Sequence, residues 1–242
     1  MITSKNNELI KKCIQLKTKK YSKEYALCFI ESIKLVKELY NRKLIENILV
    51  VEDKFSEFSN INNVEVDIIS TQISQYLSDT ITTDGVFAIC RIPTNNNFNF
   101  NRIVLLDRIQ DPSNLGAIIR SACAFNYDII SINSVYPYSS KAIRSSMGQI
   151  FNVNYLDLSL EEVIDLKNKY GIRFITADMD GMDVSKAKVF DGNIAIIIGN
   201  EGQGVSNELS LLSDETISIP MDNNVESLNA SVSAGIIMYL LK

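Results

Sequence analysis

The chain has no histidine, and this absence excludes more chemistry than any other feature of its composition. Histidine is the commonest general base and the commonest metal ligand in proteins. Ser-His-Asp and Cys-His catalysis and histidine-based zinc chemistry are therefore excluded. Any reaction must depend on Arg, Lys, Glu, Asp, Ser or Tyr side chains, or on a cofactor that is already reactive.

Cysteine is scarce as well, and no apolar run is long. We interpret the cysteines as reduced cytosolic core residues, not as a disulfide frame or a zinc site, because their spacing is unpaired: Cys13, Cys28, Cys90 and Cys123. The apolar stretches are strand-sized and too short to span a bilayer. Residues 1–7 lack the apolar core of a signal peptide. We therefore expect a cytoplasmic protein without a membrane or metal partner.

Negative charge dominates the chain but not its beginning. Residues 1–50 carry 11 Lys and Arg against 5 Asp and Glu, a balance of +6, whereas the whole 242-residue chain has a net charge of -5. The remainder therefore carries -11. A basic N-terminal region on an acidic chain indicates an anionic partner there. The alternative is a solvated helix face, since lysine is common on protein surfaces.

Residues 1–92 predict a small α/β domain, because short apolar strands alternate with amphipathic helices. The predicted elements are a helix within 5–20, a strand at 25–30, a helix at 32–42, strands at 47–51 and 64–69, a helix around 73–77 and a strand at 86–92. A proline and three consecutive asparagines then interrupt the pattern, and we interpret 93–99 as a linker between two domains.

Residues 100–242 predict a second α/β domain with a parallel sheet covered on both faces, because Ile-rich strands alternate with helices. The predicted strands are 103–106, 129–132, 174–177, 195–198 and 216–219, and the predicted helices are 114–125, 141–147, 161–169, 207–212 and 228–241. In such folds, ligands bind outside the carboxyl ends of the strands. Three connections that follow strands of this domain and lead into helices are rich in Asn, Glu, Ser and Gly. We call them corners, and their composition predicts one composite site at the carboxyl edge of the sheet.

The segment 199–204, Gly-Asn-Glu-Gly-Gln-Gly, follows one of these strands. Its spacing fits neither the dinucleotide fingerprint nor a phosphate loop. Its glycines let a ligand approach the backbone closely, and Glu201 lies inside the corner. The alternative is a tight turn with an exposed glutamate.

The start of the last helix is a second polar corner. Ser227 is a candidate N-cap, and the neighbouring Glu226 would favour the positive end of the helix. Asn229, in the first turn of an otherwise apolar helix, has little structural reason to be there. The preceding segment 219–221 ends a buried strand, so its carbonyl and amide groups are available to a flat polar ligand.

The third corner is the turn at 111–116, which opens a mostly apolar helix with Arg120 one to two turns in. An arginine on such a helix either extends toward solvent or binds an anion. Asp107 or Glu201 is its candidate structural partner.

Together these corners resemble the motifs of the SpoU (TrmH-like) RNA 2′-O-ribose methyltransferases of the SPOUT superfamily. The motifs are DPxNLGAIIRxA at 111–122, IGNEGQG at 198–204, and IPM at 219–221 followed by ESLNASV at 226–232. KAIRSSMG at 141–148 is similar to a fourth family segment. The resemblance covers 100–242, and residues 1–90 look more weakly like the L30e-like RNA-binding domain of the family's ribosomal RNA members. Asn126 departs from the pattern, because the family usually has glycine there.

The resemblance implies an α/β SPOUT fold with a C-terminal trefoil knot, and a homodimer with its active site at the subunit interface. It also implies S-adenosylmethionine as cofactor and methyl transfer to a ribose 2′-OH of RNA, in the first place ribosomal RNA. The residues it implies for cofactor binding are Gly199, Asn200, Glu201, Gly202, Ile219, Pro220, Met221 and Leu228. Those it implies for catalysis are Asn114, Arg120, Glu201, Ser227 and Asn229.

Arg120 matches the family's catalytic arginine, but a guanidinium essentially never loses its proton. We therefore expect Arg120 to hold the flanking phosphate and to stabilise the developing alkoxide. Asn114, Ser227 and Asn229 would orient the ribose and Arg120. Glu201 would hold Arg120 or accept the proton.

Three alternatives remain open at this point. Transfer RNA can replace ribosomal RNA as the substrate, and the N-terminal domain only weakly favours the latter. A non-catalytic RNA-binding protein on the same fold would lack the polar motif residues, all of which are present. A doubly wound nucleotide-binding enzyme would carry a phosphate-loop spacing, which the sequence does not show.

Overall fold

The computed structural model describes residues 1–94, 98–186, 192–222 and 227–242. The chain divides into two compact units, Met1–Thr94 with Tyr138–Ile143, and Asn95–Pro137 with Arg144–Lys242. The predicted linker 93–99 spans the change from one unit to the other, and its residues 95–97 lie outside the described residues. The predicted domain limits, 1–92 and 100–242, stay predictions.

The first unit is a four-stranded mixed sheet with helices. Its elements are α1 (Glu8–Leu16), α2 (Lys19–Tyr25), β1 (Leu27–Glu31), α3 (Ile33–Asn41), β2 (Ile45–Val51), a 3-10 helix (Glu52–Phe58), β3 (Glu65–Ile69), α4 (Thr71–Leu77) and β4 (Val86–Arg91). The strand order is β1-β4-β2-β3, with β4 antiparallel to both neighbours and β2 parallel to β3. The small α/β domain predicted for this region is therefore confirmed.

The N-terminal helical pattern divides into two helices where one was predicted. Ile10, Cys13 and Leu16 of α1 are buried in the core, as their helical spacing requires. The chain then leaves the helix, since Thr18 is extended and its hydroxyl donates to the carbonyl of Gln15 at 2.8 Å. Such a side-chain bond to the backbone competes with continuation of the helix.

The rest of the chain forms a six-stranded sheet whose strands are all parallel. The elements are β5 (Arg102–Asp107), α5 (Pro112–Phe125), β6 (Asp128–Ile132), α6 (Ser140–Ser145), a 3-10 helix (Gln149–Phe151), β7 (Tyr155–Asp157), α7 (Leu160–Tyr170), β8 (Arg173–Asp183), a 3-10 helix (Val184–Lys186), β9 (Ile194–Ile198), α8 (Asn207–Leu211), β10 (Glu215–Ser218) and α9 (Ala230–Leu240). The strand order is β10-β8-β9-β5-β6-β7. Every residue of β9 is buried, which confirms the predicted parallel sheet. The trefoil knot stays a prediction.

Strands β8 and β7 and helix α9 differ from their predictions. The strand predicted at 174–177 continues to Asp183, and its Gly181 lies so close to β10 that an added Cβ would be 2.4 Å from the Ile217 carbonyl carbon. The short strand β7 was not predicted, because three residues are too few to show an alternation. The last helix begins at Ala230, two residues later than predicted.

The cysteines are free thiols, three of them buried and Cys123 partly exposed. Burial raises the pKa of Cys13 to about 12 and that of Cys123 to about 11, so these thiols are protonated and weakly nucleophilic at neutral pH. Within the described ranges, no helix has the length and apolarity needed to cross a membrane.

Candidate active site

Four adjacent strands of the parallel sheet, β10, β8, β9 and β5, bring the predicted corners together. Strand β9 ends at Ile198, directly before the glycine-rich loop 199–204, and β10 ends directly before Ile219. Strand β5 ends at Asp107, ahead of the turn that opens α5. Because parallel strands share one carboxyl edge, these loops lie side by side.

The glycine-rich loop is a closed turn. Asn200 and Gly204 exchange two backbone hydrogen bonds of 2.9 Å, and the Asn200 side-chain oxygen accepts from the N–H groups of Gly202 and Gln203, each at 3.0 Å. A Cβ on Gly199 would lie 2.2 Å from the Gly204 carbonyl carbon. Glycine is therefore required at 199, because any side chain would force the turn open.

Asp107 and Arg108, at the end of β5, hold this loop in place. Asp107 is 2% exposed, and its Oδ2 accepts from the N–H of Ser206 at 2.6 Å. The Arg108 carbonyl accepts from the Asn200 side chain at 2.9 Å, and its guanidinium donates to Gln203 Oε1 at 3.1 Å. The prediction of Asp107 as the partner of Arg120 is wrong, because Asp107 binds Arg108 at 3.2 Å.

Glu201, Asn114 and Asn229 form a chain of hydrogen bonds that connects three corners. Asn114 Nδ2 donates to Glu201 Oε1 at 2.9 Å, and Asn229 Nδ2 donates to Asn114 Oδ1 at 2.8 Å. Asn229 Oδ1 in turn accepts from the N–H of Ser231 at 2.9 Å. Because an ionised carboxylate only accepts hydrogen bonds, Glu201 determines the orientation of both amides.

The pKa of the Glu201 carboxyl is lowered by its hydrogen bonds. Burial raises the pKa, but the Asn114 side chain and backbone N–H groups outweigh it, so the pKa lies below its ordinary value of 4.5. The backbone donors are Asp111, at 3.2 Å, and Gln110, at 3.3 Å. Glu201 is therefore ionised at neutral pH and is a weak proton acceptor.

Arg120 lies apart from this cluster. Its side chain is exposed on α5 and forms no hydrogen bond or ion pair with the part of the chain that the structure describes. Six residues separate it from Asn114, so the two side chains point roughly 120° apart around the helix axis. The expectation that Glu201 holds Arg120 is not met within one chain, because the Glu201 carboxylate is bound to Asn114 and the adjoining backbone.

A cavity of about 310 Å³ opens beside the hydrogen-bonded chain. The predicted site residues that line it are Gly199, Asn200, Glu201, Gly202, Ile219, Met221, Ser227 and Leu228. Pro220 is the one predicted cofactor-binding residue not among its lining residues. The cavity lining therefore joins the loops after β9 and β10 with the start of α9.

Sequence reasoning missed part of the cavity wall. Ala177, Asp178 and Met179, in the middle of β8, also line the cavity. The signal was available, because Asp178 directly follows the predicted strand 174–177, at the carboxyl edge of the sheet. Asp178 is thus a second acidic residue in the lining beside Glu201, and its Oδ1 accepts from the N–H of Asp180 at 3.2 Å.

Asn229, not Ser227, caps α9. The Asn229 side chain accepts from the N–H of Ser231, two residues into the helix, which is N-cap geometry. The predicted cap at Ser227 is therefore wrong, and Ser227 is an exposed residue at the cavity. Glu226, predicted to favour the helix end, lies outside the described residues. Among the described side chains, no group of three or more His, Cys, Asp or Glu is placed to hold a metal ion.

Residues 101–239 match the model of the SpoU rRNA Methylase family, and this match covers more than half of the chain. The chain belongs to the SpoU rRNA methylase family. Residues 7–88 match the MRM3-like substrate binding domain. The membership predicted from the three motifs is thus confirmed, as is a substrate-binding domain ahead of the methylase domain.

Two relatives of this SpoU chain differ in how far the similarity extends. It is 27% identical over 245 residues to the 23S rRNA (guanosine(2553)-2′-O)-methyltransferase RlmP of Bacillus subtilis, a match that covers 100% of this chain and 98% of that protein. It is 38% identical over 143 residues to an uncharacterized tRNA/rRNA methyltransferase of Borreliella burgdorferi. That second match covers 58% of this chain and 63% of the relative, just under two thirds of its length.

The fold is shared with solved SpoU-type structures. The crystal structure of an AdoMet-bound rRNA methyltransferase from Sinorhizobium meliloti superimposes with a TM-score of 0.88 at 22% identity. The superposition covers 99% of this chain and 96% of that one. The α/β fold predicted from the resemblance is therefore confirmed over the whole chain.

Proposed function

We propose that this SpoU-family protein transfers a methyl group from S-adenosylmethionine to a ribose 2′-OH of ribosomal RNA. The observation that carries the proposal is the cavity bounded by the loops after β9 and β10, with the chain Glu201–Asn114–Asn229 beside it. Support comes from the Bacillus subtilis relative, named as a 23S rRNA 2′-O-methyltransferase, and from the AdoMet-bound neighbour.

The cavity fits a cofactor of this size. Its volume of about 310 Å³ falls in the usual range for small-molecule sites. The bare backbone at Gly202 admits close approach. Ile219, Met221 and Leu228 supply apolar walls. When bound there, S-adenosylmethionine supplies an electrophilic methyl group.

The side chains around the cavity would position the substrate. We assign Asn114 and Asn229 to orienting the ribose, with Ser227 at the cavity mouth as a further hydroxyl. Glu201 would act as a positioning residue that fixes Asn114, since its lowered pKa disfavours proton acceptance. Arg120 would hold the flanking phosphate and stabilise the developing alkoxide, and the 2′-OH proton would leave to water as the O–CH₃ bond forms and the S–CH₃ bond breaks.

We further propose a homodimer in which Arg120 serves the site of the second copy. The exposed side chain of Arg120 faces away from Asn114 on α5, which is consistent with action on another chain. Helix α9 also exposes apolar side chains, with Val232 48%, Tyr239 54% and Leu240 46% accessible. Val232 and Tyr239 are seven residues apart and lie on the same side of the helix, as an interface requires. A ribosomal RNA substrate implies a cytoplasmic location.

Methyl transfer from tritiated S-adenosylmethionine to unmodified RNA tests the function. The substrates are ribosomal and transfer RNAs transcribed in vitro, and nuclease digestion locates the label. We expect label in a 2′-O-methyl nucleoside of ribosomal RNA. Label in transfer RNA would support the methyl transfer but would show that ribosomal RNA is not the substrate. Failure to bind S-adenosylmethionine would favour a non-catalytic RNA-binding protein.

Arg120→Ala tests the assigned role of the arginine in the same assay. We expect transfer to fall by at least about a hundredfold while cofactor affinity is retained, as calorimetric titration would show. The control is Lys169→Ala, which removes one exposed positive charge from α7. Full activity of Arg120→Ala would remove Arg120 from the mechanism.

A further inference from the structure

A second cavity, of about 470 Å³, lies in the first unit. It is at the end of the mixed sheet where β2 and β3 begin and β4 ends, and Ile45 and Val64 contribute apolar walls. The polar residues that line it are Tyr40, Asn41, Lys43, Asn62, Asn63 and Arg91. The lining therefore combines two cations with three side-chain amides and includes no carboxylate.

The two ends of this sheet differ in charge. At the far end, where β1 and β2 end and β4 begins, the chain places Glu31, Glu52, Asp53 and Asp84. The cavity end instead carries Arg42 and Lys43 before β2 and Arg91 at the end of β4, against Glu46 and Glu65 at the starts of β2 and β3. An anion that approaches the first unit is therefore favoured at the cavity end.

Tyr40 ties the two sides of the cavity together. Its hydroxyl donates to the carbonyl of Asn62 at 2.9 Å and accepts from the N–H of the same residue at 3.2 Å. The end of α3 is thereby held against the segment before β3. The cavity is therefore built from two chain segments fixed to each other, with a volume typical of small-ligand sites.

Lys43 and Asn63 both have left-handed backbone conformations, with φ of 60° and 72°. Residues other than glycine are disfavoured in this region, and lysine has no side-chain bond that offsets the strain. The Lys43 ammonium forms no hydrogen bond or ion pair with the residues that the structure describes, nor do the side-chain amides of Asn41 and Asn63, whereas the backbone N–H of Lys43 donates to the Tyr40 carbonyl at 2.9 Å. Lys43 thus places at the cavity an ammonium group that has no ion-pair partner among the described residues.

We propose that this cavity binds an unpaired nucleotide of the substrate RNA. The Lys43 ammonium would contact the phosphate, and the asparagine amides would bond to the base edge, since an amide offers a donor and an acceptor side by side. Arg91, paired through Nε with Glu46 at 3.3 Å, would supply a planar surface or a second phosphate contact. The inference rests on the proposed function, because it takes RNA as the substrate.

An unpaired nucleotide fits this site better than a duplex does. In an A-form duplex the major-groove base edges lie deep in a narrow groove that short asparagine side chains do not reach, and the shallow minor groove is recognised mostly by its shape and 2′-hydroxyls. A nucleotide in a loop or bulge presents its base and its phosphate together. The match of residues 7–88 to a substrate-binding domain agrees with a substrate contact in this unit.

Fluorescence anisotropy on the full chain tests the site, with a fluorescein-labelled eight-nucleotide single-stranded RNA and a duplex of the same length as probes. We expect Lys43→Gln to weaken binding of the single strand about tenfold and to lower the slope of log K against log salt by about 0.7, the effect of one phosphate contact. Asn62→Ala should weaken binding without changing that slope. Lys34→Gln, the same charge change at an exposed position of α3, should change affinity less than about twofold.

Unchanged RNA affinity in both cavity variants, Lys43→Gln and Asn62→Ala, would overturn the proposed site. The site would also be overturned if Lys34→Gln lost as much affinity as Lys43→Gln, or if the wild-type chain bound neither probe. If the cavity substitutions weakened binding of the duplex as much as binding of the single strand, the proposal that the bound nucleotide is unpaired would be overturned. Tritium transfer by the same preparations separates the two proposals. If the wild type transfers methyl groups and the cavity variants bind RNA normally, the function is kept and the site is removed. If the wild type transfers none but the cavity variants bind RNA more weakly than it does, the site is kept and the function is removed.

Discussion

At the scale of single residues, the orientation of the active-site amides follows from one carboxylate. Glu201 can only accept, so Asn114 must present its NH₂ group to Glu201 and its oxygen to Asn229. Asn114 is 8% exposed, and a buried amide turned the other way would leave a donor facing a donor. The ionisation of Glu201 therefore determines which groups the substrate meets.

Glu201→Gln tests this ionisation through the pH dependence of stability. Because the pKa of the folded Glu201 is depressed below 4.5, the ionised group stabilises the fold above the unfolded pKa and loses that contribution as the pH falls through the folded pKa. We expect Glu201→Gln to lower the free energy of unfolding at pH 7 by about 1 kcal/mol. Urea unfolding should show this difference shrinking as the pH falls toward about 3.

The matched control is Glu208→Gln, an exposed glutamate in the first turn of α8. It should change the unfolding free energy by only a few tenths of a kcal/mol. A difference between wild type and Glu201→Gln that stays constant from pH 7 to the acid range would contradict a carboxylate held ionised by its donors.

At the scale of elements, the glycine-rich turn illustrates how backbone space determines a binding site. The turn at 199–204 closes on itself through Asn200 and Gly204 and is held from β5 by Asp107 and Arg108. Its shape is thus set by hydrogen bonds outside the cavity. A ligand in the cavity meets a backbone that needs little reorganisation on binding.

Gly199→Ala should disrupt this turn, because the added Cβ would lie 2.2 Å from the Gly204 carbonyl carbon and the Val205 nitrogen. We expect affinity for S-adenosylmethionine to fall about tenfold or more, equivalent to about 1.4 kcal/mol, in calorimetric titration. Gly202→Ala is the control, since its Cβ would meet only the Asn200 side-chain oxygen at 3.7 Å. Equal affinities of both variants would show that the turn does not shape the site.

The end of α5 explains the departure from the family pattern at Asn126. This residue caps the helix in the left-handed conformation, with φ of 60° and ψ of 48°. Glycine is the usual residue at such a position, and asparagine is the next most tolerated. The substitution therefore keeps the backbone geometry of the α5–β6 connection.

At the scale of the whole molecule, the assignment of Arg120 to a second copy makes a quantitative prediction. Coexpressed Arg120→Ala and Glu201→Ala chains would form mixed dimers in which one site regains both residues. We expect about a quarter of the wild-type rate, since half of randomly formed dimers are mixed and each holds one intact site. The measurement is tritium transfer to ribosomal RNA.

Coexpression of Asn114→Ala with Glu201→Ala is the control, because these residues bond to each other within one chain. Each site of that mixed dimer lacks one of them, so no rate should be recovered. Absence of recovery in the Arg120 pair would instead place the action of Arg120 within its own chain and contradict the shared site.

Much of this molecule was predictable because the relevant signals are local. The periodicity of apolar residues identified every strand of both sheets except β7, and most helices. The three motifs identified the family. The predicted ends of helices were less accurate where a side chain forms a hydrogen bond with the backbone at the end of the helix. Thr18 ends α1 through its bond to Gln15, and Asn229 rather than Ser227 caps α9.

The sequence by itself determined the SpoU membership, the parallel sheet and the polar corners at its carboxyl edge, since these depend on neighbouring residues in the chain. Only the tertiary structure decided which polar residues bond to one another. Asn114 meets Glu201 across 87 positions and Asn229 across 115, and Asp107 binds the N–H of Ser206 across 99. The strand order that brings these residues together arises from the packing of the whole sheet, so no local pattern distinguishes Arg120 from Asn114 as the partner of Glu201.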